Sequence, residues 1–388
     1  MTAHFACAQT WMQTSAPSET WSYIASSADG SRLIAVGLNW NCYVSTNSGS
    51  TWTPIIEPQS NSSVGGWYYM ASSADGTKLL GTTVSSSIFV STNSGMTWLS
   101  NNIPSVTYWG PVAMSADGTK MVAAVGGNGH PPGFVYVSTN WGVSWNPTSA
   151  PTNVWSGLAS SADGSKLVAV TGYPGVPFTG LIYRSTNSGT TWSQVAAPSK
   201  WWYSVASSAD GTKLAAVNYA ESNQVPGHVF ISTNSGSTWV SNSLAAGFFR
   251  TVSLSADGSK IVVGGDLNIN NPNVWTSTDF GVTWVSNNMF NAGSSVVSSA
   301  DGGKLFAAGS LIYTSQSTQS PQLNLTPSPA NLTLAWTVPS TNFVLQQSTN
   351  LASWTDVTNP PVLNLTNLQN QVTLSTSNGS GFYRLKTP

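Results

Sequence analysis

Of the 388 residues only 6% are charged, and 12 Lys and Arg against 13 Asp and Glu leave a net charge of −1. Ordinary globular chains carry roughly 25% charged residues, so this surface must be built from hydroxyls and amides. No basic run offers a handle to nucleic acid or an anionic membrane, and no run of 18 apolar residues is present to span a bilayer.

Met1 leads almost at once into repeat-like sequence, without a basic and then apolar leader, so no secretion signal is visible. Cys7 and Cys42 are too few for a disulfide framework and are expected as two thiols rather than one bridge. Gln9 to Gln13 reads as a strand that follows a turn, with Trp11 in the place of the turn's last tryptophan.

From there the chain repeats. Ala-Asp-Gly recurs with its aspartate at Asp29, Asp75, Asp117, Asp163, Asp210, Asp257 and Asp301, spaced 46, 42, 46, 47, 47 and 44 residues apart. Such a period marks a repeat architecture. The first unit reads as four strands, WSYIASS, SRLIAVG, CYVSTN and TWTPII. Short β-branched and aromatic runs between Gly, Asn and Asp turns are strand signals. Asp-Gly in the first connection predicts a type I′ hairpin turn.

The second turn is STNSGSTW, Ser45 to Trp52, and six units carry it, ending in Trp52, Trp98, Trp145, Trp192, Trp239 and Trp284. It resembles the Asp box, Ser-x-Asp-x-Gly-x-Thr-Trp, with Asn in five of the six and an acid only at Asp279. An amide oxygen accepts turn N–H bonds as a carboxylate does. The motif is therefore expected to act as a folding clamp.

The seventh unit stops after Tyr313-Thr314-Ser315, and the N-terminal strand is expected to supply its fourth strand and close a ring. The prediction is all-β: a seven-bladed β-propeller over residues 1–315, a linker over 316–322, and a C-terminal immunoglobulin- or fibronectin-like β-sandwich over 323–388. Residues 5–315 resemble the Asp-box (BNR-repeat) propellers, among them sialidases, xyloglucanase-type glycoside hydrolases, sortilin-type receptors and photosystem assembly factors. The last segment resembles sandwich modules of secreted bacterial proteins that end in a Phe-Tyr-Arg-Leu strand. Within it, STNLASW, Ser348 to Trp354, reads as a coincidental likeness to the box.

Function is sought by subtracting the repeat. Seven of the thirteen acids are the Ala-Asp-Gly aspartates, and seven of the twelve bases stand three residues later, from Arg32 to Lys304. The propeller then keeps Arg184, Lys200 and Arg250 as unassigned bases, so the arginine triad that the sialidase resemblance implies cannot be assembled. Glu221 and Asp266 are the candidate acid and base, on loops of adjacent units, with solvated loop charges as the alternative reading. His4, His130 and His228 have no ligand spacing, so neither metal nor cofactor is expected.

In a four-stranded unit the Ala-Asp-Gly turns and boxes share one face, which leaves the variable loops on the other, where binding is sought. There, eight residues before each repeat aspartate, stand Trp21, Trp67, Trp109, Trp155, Trp202 and Phe249, with Gly293 in the seventh place. They read as a stacking platform for sugars or as a packing consensus between units. Long loops in units three to six predict a wall carrying Tyr173, Phe178, Tyr219, Glu221, His228 and Asp266.

Three functions compete. The first is a non-catalytic extracellular or cell-surface structural protein, a self-associating subunit of a layer or fibre, with glycan sites at Asn61, Asn324, Asn331, Asn364 and Asn378. The second is a lectin-like binder of neutral cell-surface polysaccharide, and the third a glycoside hydrolase.

Overall fold

The computed structural model describes residues 10–55, 66–83, 87–101, 108–126, 131–172, 180–220, 227–242, 244, 247–266, 272–287, 289, 292–317, 322–339, 343–375 and 381–387. Among them every regular element is a strand. In the first repeat Trp21–Ser26, Leu33–Gly37, Cys42–Ser45 and Thr53–Ile55 lie side by side, antiparallel and in chain order. Sheets of the same order begin at Trp67, Trp109, Trp155, Trp202 and Phe248. The last repeat joins Ala292–Ser298, Lys304–Gly309 and Ile312–Gln316 to the N-terminal strand Trp11–Gln13, with Trp11 opposite Ser315.

These sheets form a closed ring. The Ala28 N–H donates to the Ala74 carbonyl at 2.8 Å, and the same bond passes to Ala116, Ala162, Ala209, Ala256 and Ala300. Ala300 then donates back to Ala28 at 2.6 Å. The repeat bases tie the same neighbours together. Lys120, Lys166, Lys213 and Lys260 each donate to the carbonyl of the next unit's repeat aspartate at 2.8–2.9 Å, and Lys304 reaches Ser48 across the closure at 3.0 Å.

The first turn differs from the type I′ expectation. Only its glycine is left-handed, Gly30 at φ 66°, and Gly30 N–H donates to the Ser27 carbonyl at 3.0 Å. The reason is the aspartate, which need not leave its ordinary conformation: Asp29 accepts from the Ser27 hydroxyl at 2.6 Å and from the Ser31 N–H at 2.9 Å. Burial pushes the Asp29 carboxyl up, but those bonds outweigh it and hold the group below the usual carboxylate range.

In the box, Asn47 Oδ1 accepts from the Ser45 hydroxyl at 3.0 Å and the Thr51 N–H at 2.8 Å, and Gly49 N–H donates to Ser45 Oγ. Asp279 makes the same bonds in its unit. The clamp thus works with an amide or a carboxylate. Ser48 N–H also donates to the Ser31 carbonyl at 2.8 Å, which fixes boxes and Ala-Asp-Gly turns on one face.

The C-terminal residues form two sheets. Asn324–Pro327, Asn331–Thr337, Gln369–Ser375 and Val362–Asn364 make one, and Thr355–Asp356, Val344–Ser348 and Phe382–Lys386 the other. Leu334, Trp336, Leu345 and Val372 make a core that both sheets share. STNLASW connects two of these strands with box-like chemistry in shortened form. Asn350 Oδ1 accepts from the Ala352 N–H at 3.0 Å, Leu351 takes φ 65°, and Arg384 stacks on Trp354. The Ser348 hydroxyl donates to Asn350 Oδ1 and the Asn350 N–H to Ser348 Oγ, as in a box. The amides that follow close the turn one or two residues sooner, so the likeness is one of local turn chemistry.

Candidate functional site

The expected tryptophan platform lies inside the sheets. Trp21, Trp67, Trp109, Trp155, Trp202 and Phe249 are all 2% exposed or less. Each packs edge-on against the aromatic residue of its sheet's third strand, as Trp21 does on Tyr43 at 5.5 Å and Trp202 on Phe230 at 5.0 Å. Box tryptophans cover the other side, Trp98 standing 4.5 Å from Trp67. Their faces are occupied, so they serve packing and offer no stacking surface to a ligand.

A bulge explains the difference. Every first strand shifts register just after this position, between Trp21 and Tyr23 in the first sheet and between Trp202 and Ser204 in the fifth. A bulge re-aims the side chains around it. Apart from Trp21, it is the residues that follow and not these aromatics that line the ring axis.

Along that axis runs a cavity of about 640 Å³ to which every first strand contributes. Tyr23, Tyr68, Tyr69, Tyr203 and Arg250 line it among serine and threonine positions. Tyr69 contacts Tyr68 at 4.6 Å and Tyr23 at 5.6 Å. Burial pushes the Tyr23 phenol up to about 12. Burial, and then the neighbouring Tyr68, Tyr203 and Tyr23, hold the Tyr69 phenol well above its ordinary value. These phenols stay neutral through the whole biological pH range and act as hydrogen-bonding, stacking groups.

The predicted wall is reached in part. Tyr173, Phe178 and Glu221 lie outside the described residues, as do Cys7, Asn61 and Asn378. Tyr219 packs on Tyr203 at 5.7 Å and on Phe248 at 6.0 Å, with Arg250 over its ring. His228 donates its backbone N–H to Asn218 Oδ1 at 2.8 Å. Asp266 is buried and paired with Arg250 at 2.9 Å. Burial depresses the guanidinium, yet the Asp266 charge outweighs it and holds Arg250 above its ordinary value. The pair therefore brings no net charge to the cavity.

The propeller's three arginines are engaged at separate places. Arg32 donates to Ser94, Arg184 to the Ser235 carbonyl and Arg250 to Asp266. Among the described residues no group of three His, Cys, Asp or Glu lies close enough to hold a metal ion. Cys42 is buried in the first sheet, and Asn324, Asn331 and Asn364 lie on the C-terminal strands, the first two exposed.

Trp40, 47% exposed, was missed in the sequence. It stands in the short loop from Gly37 to Cys42 at φ 69°. Leu38 in the same loop lines the cavity and donates its N–H to the Thr20 carbonyl at 2.7 Å. The Trp40 N–H donates to the Gly37 carbonyl at 2.9 Å, so the left-handed conformation closes a turn, as it does for Trp141 and Phe280 in their boxes. What sets Trp40 apart is its exposed ring on the variable face. Tyr108 and Phe134 are also exposed on this face. All three fall outside the repeat consensus, and the subtraction applied to charges would have exposed them had it been applied to aromatics.

No family model matches the chain, and no curated protein does. Solved structures do. A structure of YCF48 bound to D1 peptide matches 81% of this chain and 98% of its own at 15% identity and a TM-score of 0.58. Hydrazine synthase of Kuenenia stuttgartiensis matches 80% and 98% at 17% identity and 0.61. The GH74 xyloglucanase of Xanthomonas campestris matches 85% of this chain and 59% of its own at 12% identity and 0.60. At these identities the likeness establishes the fold, a β-propeller, and activities differ among the three.

Proposed function

We propose that this chain is a non-catalytic extracellular interaction protein that binds neutral polysaccharide through the variable face of a seven-bladed Asp-box propeller. The propeller runs to the end of the strand Ile312–Gln316, one residue past the expected boundary at 315 because Gln316 pairs with Lys304, and the linker that follows joins it to a β-sandwich over 323–388. Seven Ala-Asp-Gly turns, the alanine circuit and the shared core of the last two sheets support this division.

One observation carries the functional reading: the exposed Trp40 shares its short loop with Leu38, which lines a tyrosine- and hydroxyl-rich cavity whose ion pair is neutralised from within. Aromatic faces and hydroxyls suit the C–H faces and hydroxyls of a neutral sugar chain. Asp266, tied to Arg250, is poorly placed for acid–base work. A second reading, self-association into a layer or fibre, is favoured by apolar side chains exposed at box tips, Met96, Trp141, Val143 and Val282.

Affinity electrophoresis through neutral glucans, mannans and galactans is the test. Trp40→Ala is expected to abolish retardation while leaving the thermal midpoint within a few degrees. Retardation unchanged in Trp40→Ala removes the assignment. No retardation by any neutral glycan, together with sedimentation as large assemblies, replaces it with the second reading.

A further inference from the structure

The opposite end of the ring axis, on the face of the Ala-Asp-Gly turns, ends in a smaller cavity of about 170 Å³. Every repeat contributes to its wall, and so does one residue from outside the ring, Leu368. Leu368 sits in the turn between Val362–Asn364 and Gln369–Ser375, at φ 54°, and its carbonyl accepts from the Val338 N–H at 2.9 Å. Asn364 Oδ1 accepts from the Thr366 N–H and hydroxyl, and Asn367 Oδ1 from the Gln369 N–H, so side chains on both sides hold the turn in shape. A left-handed leucine is a costly way to make a turn, and glycine or asparagine would do it more easily.

The socket looks polar in sequence, yet its donors are spent. All seven alanine amides are used in the circuit that closes the ring. The hydroxyls of Ser27, Ser73, Ser161 and Ser208 donate to their repeat aspartates at 2.6 Å, and those of the serines just before them donate to the next carbonyl. What remains in the lining is the alanines, Met114, Leu254 and satisfied oxygens, which accept an apolar side chain without stranding any donor.

We propose that this rim is a docking socket for the chain's own C-terminal module, and that Leu368 is the stopper that closes the axial channel at this end. The cavity at the tyrosine end is then a blind pocket, open only on the variable face, so that a polymer meets it side-on or by one end and cannot thread the ring. The inference stands on the packing of Leu368 and is independent of which ligand the variable face takes.

The test places a diazirine analogue of leucine at position 368 in the full chain, irradiates a dilute sample and maps the adducts by mass spectrometry. Adducts are expected within the same chain on the rim peptides that carry Ala28, Ala116, Ala209 or Ala300, and are expected to be lost when the analogue stands at Leu351 instead. Adducts confined to residues 323–388, or joining two chains, overturn the proposal. A companion measurement uses Leu368→Asp, which sets a charge where no donor is left. It is expected to raise the radius of gyration in solution scattering, whereas Leu368→Met is expected to keep it. An unchanged radius in Leu368→Asp overturns the docking.

Discussion

The two faces of the ring are made by different rules. On the face of the boxes and Ala-Asp-Gly turns, the same bonds recur unit after unit, and nearly every charge in the repeat is consumed in turns or in ties to the next unit. On the other face the buried aromatics and their bulges recur, but the remaining side chains do not: one unit offers Trp40, another a tyrosine pair, a third the Arg250 and Asp266 pair. Repetition marks what the ring needs in order to close, and its absence marks what a ligand can tell apart.

That division can be broken most sharply with two tryptophans. Trp155→Ala removes a fully buried ring and its Nε1–H bond to the Gly133 carbonyl, and is expected to cost about 3–5 kcal/mol in chemical denaturation. Trp40→Ala, on the variable face, is expected to cost little while abolishing binding. Equal losses of stability in the two variants would dissolve the distinction.

Acid comes next. Asp29, Asp75, Asp117, Asp163, Asp210 and Asp257 are all held below the usual carboxylate value, by serine and threonine hydrogen bonds that outweigh burial. A depressed folded value means that each contributes stability that is complete above about pH 4 and lost as the pH falls through that lower value. The denaturation midpoint should therefore drop steeply below about pH 4, and a flat profile from neutral pH to pH 2.5 would contradict the turn chemistry. The smallest effect is expected for Asn47→Asp. Asp279 already makes the equivalent bonds, so the change in stability should stay within about 0.5 kcal/mol. A loss several times larger would mean that the boxes are less alike than their bonds indicate.

Architecture was legible in the sequence because it repeats. The spacing of seven aspartates, the boxes and the orphan strand at Trp11 each carry a backbone requirement that recurs in the same place. The site was less legible for two reasons. Counting back from each aspartate finds Trp21 and its equivalents, but a bulge leaves no mark on the count, and it is the bulge that sends those rings inward and their successors to the axis. Trp40 sits in a short loop, whereas loop length points to the long ones, where Glu221, Tyr173 and Phe178 stand. Leu368 had no signal at all, since leucine is a poor choice for the left-handed turn it occupies.

The alanine circuit has a consequence for how many units the molecule can have. In an open stack a unit added or lost leaves every other junction intact, and length is free to drift. Here each amide is donor to one neighbour while its carbonyl serves the other, and the last bond exists only if Ala300 arrives back at Ala28. A six- or eight-unit relative would have to change the angle at every junction together. Gene duplication can lengthen a ladder by a rung, but a clasped bracelet has its number of links settled at the clasp.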